Sequence, residues 1–371
     1  MSKLEELIQE LCPDGVETFP LEECCNILDK KRKPVTKNSR EKGEYPYYGA
    51  NGVQDYVSDY IFNGKFVLVG EDGSVITKSG TPVVTWAEGK IWVNNHAHVI
   101  EEKSGTMLRY LYFYIQTIDV TSLIHGNIPK LTGRDFRSLK IALPPLEIQR
   151  EIVRILDNFT NLTSELTSEL TARGIQYSYY RNKLLTFHAN TKIVQLADIA
   201  DIGTGSSNTN EAVEDGKYPF FVRSQEPLRK NDYEYDETAI ITAGDGVGVG
   251  KVYHYIEGKY ALHQRAYRIH INTPEVMSKY YFHYMKAKFL PYIQKTMFQG
   301  SVASIRRPML NAFPVPVPPL DVQKRIVNVL DNFEKICSDL NIGLPAEIEA
   351  RQKQYEYYRD KLLTFKEVAA T

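Results

Sequence analysis

One segment of this 371-residue chain occurs twice. Leu143 to Phe187 reads LPPLEIQREIVRILDNFTNLTSELTSELTARGIQYSYYRNKLLTF, and Val317 to Phe365 reads VPPLDVQKRIVNVLDNFEKICSDLNIGLPAEIEARQKQYEYYRDKLLTF. Pro144-Pro145-Leu146 and Leu156-Asp157-Asn158-Phe159 return 174 residues later (144 to 318) as Pro318-Pro319-Leu320 and Leu330-Asp331-Asn332-Phe333. Tyr179-Tyr180-Arg181 and Lys183 to Phe187 return 178 residues later (179 to 357), so the second copy carries an insertion of four residues. A repeat spaced by nearly half the chain is far too long for a solenoid and points to two globular units, each followed by the same element.

That element has helical periodicity. Ile148, Ile152, Ile155, Phe159, Leu162 and Leu166 step by 4, 3, 4, 3 and 4, and Val322, Ile326, Val329, Phe333, Ile336 and Leu340 repeat the steps. Tyr180 and Tyr358 continue the two rows. Such spacing lays apolar side chains along one stripe of a helix and is the pattern of a coiled-coil seam. Each Pro-Pro pair ends a strand and presets the first helical turn. Gly343-Leu344-Pro345 predicts a break in the second copy, with Pro345 in a fresh first turn. An unbroken helix of about 40 residues would span roughly 60 Å, which suits a spacer better than a core helix. The first helix leads from one half of the chain to the other, so the simplest packing returns the second antiparallel along it with a pseudo-twofold.

Between the copies the texture changes. Leu4, Leu7, Ile8 and Leu11 mark one face of a short helix over residues 1–11. Short apolar runs such as Phe66 to Val69 then alternate with glycine turns up to Leu143, interrupted by one helix near Met107 to Ile118. The second unit repeats this order: Tyr45-Pro46-Tyr47-Tyr48 corresponds to Tyr218-Pro219-Phe220-Phe221, Asp72-Gly73 to Asp245-Gly246, and Gly126-Asn127-Ile128 to Gly300-Ser301-Val302, with a late helix around 274–296. The expected fold is α+β: two mixed, mostly-β domains (1–143 and 189–317), two long antiparallel helices (144–188 and 318–366) and a tail, 367–371. Two domains of one skeleton but different surface residues do one kind of job on two targets, whereas helices repeated nearly word for word serve an invariant partner or one another.

Composition narrows the class. Hydrophobic residues at 43% and charged residues at 25% are ordinary for a soluble globular protein with ample core. Cys12, Cys24, Cys25 and Cys337 include no C-x-x-C pair and suit a reducing compartment. Glu5, Glu6 and Glu10 stand where an export signal would be basic, and no apolar run approaches membrane-spanning length, so no membrane association is expected. A formal charge of −1 argues against a protein that coats nucleic acid but leaves room for a local footprint. Residues 30–42 hold seven basic residues against one acidic, and Lys31, Arg32 and Lys33 are candidate phosphate contacts, although a solvated loop is an equal reading of any one of them.

Motifs for chemistry are missing. The run from Gly244 to Lys251 is one residue too long for a phosphate-binding loop and has Val252 where Ser or Thr would hold magnesium, so it reads as a glycine-rich hairpin. Neither Pro-Pro pair follows Asp or Asn, as the loop of amino-methyltransferases requires, and the histidines show no metal-ligand spacing, so no metal or catalytic group is expected. What remains is recognition. Asn94, Asn95 and His96, and His263, Gln264 and Arg265, stand at comparable places after a Gly-Lys turn and a strand. Asn and Gln read adenine, and Arg reads guanine, by paired hydrogen bonds in the major groove. Asn127, Lys130, Arg223, Gln225, Gln299, Ser301 and Arg306 lie on polar stretches suited to base or phosphate contacts. For each of them a solvated loop or a strand-capping amide is an equal reading.

The paired L/V-P-P-L…Q…I…LDNF…YYR-[ND]-KLLTF segments, the early LCPDGVE and the IVQLADIADIGTGSS that opens the second unit resemble the specificity subunit of type I restriction-modification systems over essentially the whole chain. The resemblance implies a DNA-binding protein with two target recognition domains, each reading one half of a split, asymmetric duplex sequence. It implies two methyltransferase subunits, which carry S-adenosylmethionine, docked against the helices. Restriction subunits, which use ATP and magnesium, complete the complex in a bacterial or archaeal cytoplasm. This chain itself would bind no cofactor and catalyse nothing. Candidate docking residues are Ile148, Ile152, Phe159, Leu166 and Tyr180, with Val322, Ile326, Phe333 and Tyr358. In that family a four-residue repeat in the first helix sets spacer length, and here Thr163-Ser164-Glu165-Leu166 is followed directly by Thr167-Ser168-Glu169-Leu170. The alternative is a non-catalytic coiled-coil adaptor whose two β-rich domains bind proteins or other ligands and read no DNA.

Overall fold

Alternating burial builds each sheet. In the strand Phe62–Gly70, Phe66 and Leu68 point into one apolar cluster with Ile91 and Val99, while Val67 and Val69 point into another with Leu108, Tyr110 and Phe113. A strand with period-two side chains buried on both faces belongs in the middle of a sheet. The computed structural model describes residues 3–73, 75–125, 127–296, 304–366 and 368. Its first sheet has six strands in the order Asn26–Ile27, Ala97–Glu101, Phe62–Gly70, Val84–Val93, Lys42–Gly49, Gly52–Val57. One step is parallel, Tyr47 and Tyr48 beside Trp92 and Val93.

The second sheet has the same order: Ala200–Thr204, Ala266–Ile271, Tyr235–Ala243, Tyr253–Leu262, Tyr218–Phe221, Leu228–Lys230. Its parallel step falls at the same place, Phe220 and Phe221 beside Ala261 and Leu262. Ile240 faces the larger core, and Ala239 and Ile241 face the opposite one. Helices Leu108–Ile115 and Ser278–Thr296 pack on the two sheets at equivalent positions. The glycine-rich run after Tyr235–Ala243 is the loop of an antiparallel hairpin with Tyr253–Leu262.

The first repeated segment is one continuous helix of 39 residues, Leu146–Leu184. The second is two helices, Leu320–Ser338 and Leu344–Leu362, and they part where Gly343 to Pro345 predict. A Cβ on Gly343 would lie 2.6 Å from the Lys335 carbonyl oxygen and 2.7 Å from that of Asp339, so the corner closes only around glycine. The chain divides into two units, Met1–Leu166 with Ile348–Thr371, and Thr167–Glu347. The dividing point on the long helix falls between the two TSEL copies.

Within the first unit, Phe159 stacks on Tyr358 with ring centroids 5.4 Å apart, and Ile155 and Phe159 share a groove with Leu362 and Tyr358. Within the second, Tyr180 stacks on Phe333 at 5.8 Å, the Tyr177 hydroxyl donates to Glu334 (3.0 Å), and Arg173 lies near Cys337. In both units rising numbers on one helix meet falling numbers on its neighbour, so the local pairing is antiparallel. The structure corrects part of the docking set. Ile148 and Ile152 (0% exposed) and Ile326 (3%) are core residues of their own units, because the first turns of each helix lie on the domain that precedes it. Val322 packs against the same core as Ile326, and Leu166 is half-buried. Tyr180 and Tyr358 keep 37% exposure each and remain available.

Candidate nucleic-acid interface

Two three-residue turns link equivalent strands, Asn94-Asn95-His96 in the first unit and His263-Gln264-Arg265 in the second. The leading residue of each is buried and folds back on its own turn. The Asn94 Oδ1 accepts from the His96 backbone N–H (2.8 Å), and the His263 Nδ1 accepts from that of Arg265 (3.0 Å). Burial, aided by the charges of Arg223 and Arg265, holds His263 below the ordinary histidine range, which keeps its ring neutral and able to accept. Asn94 also donates to the Gln54 side chain at 3.4 Å. Asn94 and His263 therefore cap turns rather than read bases, a correction to the expectation from residue type. Asn95, His96, Gln264 and Arg265 are exposed on the same turns.

A carboxylate stands against each turn. Asp72 and Asp245 follow the central strands, and Gly73 and Gly246 after them both adopt φ of +82°, which lets the loop reverse sharply. Asp72 pairs with His96 Nδ1. Asp245 pairs with Arg223 (2.6 Å) and with Arg265 (3.3 Å). A third loop joins each cluster through an isolated backbone bridge, Asp72 to Lys130 and Asp245 to Ser304. The first cluster thus gathers Asn95, His96 and Lys130, with Asn127 exposed on the same loop. The second gathers Gln264 and Arg265 around a cleft of about 230 Å³ also lined by Asp245, Thr204 and Tyr267, with Arg223 joined to it through Asp245. Gln225 and Arg306 are exposed on the flanking segments, and Gln264 donates to Asn208. Gly126, Gln299 and Ser301 lie outside the described residues.

The basic stretch separates into two kinds of cation. Arg32 donates to Glu71 (2.6 Å), to the Ala97 carbonyl (2.8 Å) and to the Asp29 carbonyl (2.9 Å), and its side chain is only 13% exposed. It ties loops together and has little left for a phosphate, which corrects its assignment as a contact. Lys31 and Lys33 are exposed, and the Lys33 ammonium lies 5.9 Å from the centroid of the Trp92 ring.

Residues 13–173 and 189–350 match the family described as type I restriction modification DNA specificity domain. The chain belongs to that family. This family member is 35% identical to a protein of Haemophilus influenzae named as a type I restriction enzyme specificity subunit, over 98% of both chains. It is 34% identical to a type I restriction enzyme specificity subunit of Escherichia coli, over 71% of this chain and 72% of that one. Its fold is shared by the type I restriction-modification S subunit from M. genitalium, with a TM-score of 0.64 at 15% identity over 94% of this chain and 96% of that one. Among the described residues no helix is long and apolar enough to cross a membrane.

Other side chains in this family member carry structure that residue-type reasoning overlooked. Gln149 is fully buried: its Oε1 accepts from Met107 N (2.8 Å), and its Nε2 donates to the carbonyls of Pro144 (2.8 Å) and Gly105 (3.1 Å). Gln323 repeats the clamp on Met277, Pro318 and Glu275, each at 2.8 Å. The signal was present, since both glutamines sit three residues after the Pro-Pro-Leu, at the same place in the two copies. The aspartate of each LDNF likewise makes an equivalent link: Asp157 takes Arg109 (2.8 Å) and Asp331 takes His283 (2.7 Å), joining the repeated helix to the helix on the sheet. Among the described residues two groups bring potential metal-ligating atoms together, Asp29 with Glu71 and His98, and His283 with Asp331 and Glu334. Arg32 already satisfies the first pair of carboxylates, and Lys286 holds Glu334 at 2.6 Å.

Proposed function

We propose that this chain is the DNA sequence-reading subunit of a type I restriction-modification complex. One observation carries the proposal: two sheets of identical strand order end in the same three-loop cluster, yet the side chains offered there differ. Asn95, His96, Asn127 and Lys130 serve one half of a bipartite, asymmetric target, and Arg223, Gln225, Gln264, Arg265 and Arg306 serve the other, joined by Gln299 and Ser301. Lys31 and Lys33 contact phosphates. In domain terms, residues 1–143 and 189–317 are the recognition domains, 144–188 and 318–366 the spacer helices, and 367–371 a tail.

The helices seat two methyltransferase subunits. Tyr179 and Tyr180 form a perpendicular ring pair at 5.3 Å, Tyr357 and Tyr358 repeat it at 5.3 Å, and Tyr179 and Tyr357 are 59% and 61% exposed. Repeated exposed aromatics offer two like patches of the kind that anchor protein interfaces. S-adenosylmethionine belongs to the methyltransferase, and ATP and magnesium belong to the restriction subunit. The chain itself is non-catalytic and works in the cytoplasm of a bacterium or archaeon.

The test is single-molecule sequencing of DNA methylated by the chain together with its methyltransferase subunits. The expected result is adenine methylation at a split motif with an unread spacer. A contiguous motif, or no sequence-dependent methylation, overturns the proposal. DNA association of the complex that does not weaken as salt rises would instead favour the adaptor.

A further inference from the structure

We propose that Asp245 is a positioning residue for DNA reading, which pre-sets Arg223 and Arg265 as a pair and offsets one of their two charges until DNA engages them. The inference rests on the DNA-reading proposal above.

One carboxylate serves two guanidinium groups, Oδ1 to Arg223 Nη1 at 2.6 Å and Oδ2 to Arg265 Nη1 at 3.3 Å. The arginines come from different elements, Arg223 just past the strand Tyr218–Phe221 and Arg265 from the turn between Tyr253–Leu262 and Ala266–Ile271. Among the described residues neither side chain has another hydrogen-bond partner, so Asp245 alone sets their spacing. The anchor is firm. Gly244 N–H donates to the Arg265 carbonyl (2.8 Å), Ile305 N–H donates to the Gly244 carbonyl (2.8 Å), and Gly246 follows in its left-handed conformation.

The arginines stay open to solvent, with side chains 42% and 61% exposed, while the carboxylate is 22% exposed. Each guanidinium has five N–H donors and gives one to Asp245, which leaves four without a hydrogen-bond partner among the described residues and able to take guanine edges or phosphates. Exposed ion pairs add little to folding stability, so a stabilising role accounts poorly for such a pinned carboxylate. The first unit places Asp72 at the matching position, but there it meets one histidine. In the second cluster one carboxylate is shared by two guanidinium groups.

The experiment uses the full chain assembled with its methyltransferase subunits. Affinity for a target duplex and a scrambled duplex is measured across a salt series for the wild type, Asp245→Asn and Asp245→Glu. With Asp245→Asn, affinity for scrambled DNA rises, the slope of log affinity against log salt steepens by up to about 0.9, and discrimination falls by roughly tenfold. The methylated motif relaxes at one half-site only, the melting temperature stays within a few degrees, and Asp245→Glu recovers most of the discrimination. Unchanged slope and discrimination in Asp245→Asn overturn the inference, and so does a loss at both half-sites accompanied by a lower melting temperature. A wild-type complex that cannot tell target from scrambled DNA sinks the DNA-reading proposal itself, a result distinct from either.

Discussion

Asn94 and Asn95 are the same amino acid in consecutive positions with opposite fates. Asn94 is 3% exposed and spends its side chain on the turn, while Asn95 faces solvent. Asn94→Ala should cost about 1–2 kcal/mol, since the His96 N–H loses its partner, and should blur the first half-site. Asn95→Ala should leave the melting temperature alone and change only base preference at that half-site; melting curves with methylation motifs distinguish them. The order of residues in the chain could not reveal this, nor the fate of Arg32, because the Glu71 and Ala97 atoms that bury it arrive from distant strands. His283 supports a prediction about pH. Burial holds it below its ordinary 6.5, against the upward pull of Glu334 and Asp331, with Lys279 adding to the depression. Burial would raise Glu334, but the Lys286 ammonium and His283 bring it below the ordinary carboxylate value. The unfolded chain protonates His283 first, so the stability of the neutral ring is complete above about pH 6.5 and is lost as pH falls through the folded value. Hydrogen exchange, corrected for intrinsic rates, should therefore quicken in 278–296 between pH 7 and 5.5 and not in 108–115, where the corresponding aspartate, Asp157, is paired with Arg109 and Phe113 stands in the register of His283. Equal acceleration in both segments would contradict this.

At the scale of elements, the helices were the most legible part. Their information is local: apolar steps of three and four, paired prolines, and a glycine where the second copy turns. Sheet order was not legible, because the parallel step between Lys42–Gly49 and Val84–Val93 joins strands separated by three turns, and alternation within a strand does not name its neighbour. The docking set shows the same limit. Heptad spacing identified Ile148 and Ile326 as inward-facing, but not that inward meant their own domain. The glutamine clamps make these junctions specific. Gln323→Ala would strand the Met277 N–H and the carbonyls of Pro318 and Glu275, and should lower the stability of the second unit by about 2–4 kcal/mol in denaturant unfolding. A change below about 0.5 kcal/mol would mean that water replaces the clamp.

For the whole molecule, the repeat foretold two similar units and the structure shows one strand order used twice. The bases each unit reads remained illegible, because a side chain's partner depends on its angle of approach to the groove. The proposed ruler has a simple arithmetic. Thr167 to Leu170 add about 6 Å of helix, and duplex DNA rises about 3.4 Å per base pair. Deleting them should shorten the unread spacer by one or two base pairs while both half-sites stand, as methylation mapping of the deletion variant would reveal. The central claim is that two units read two half-sites independently. Its most direct test replaces residues 1–143 with the corresponding domain of another specificity subunit and maps methylated adenines in the assembled complex. The account predicts one new half-site, one retained half-site and an unchanged spacer; alteration of both halves, or of neither, would contradict it.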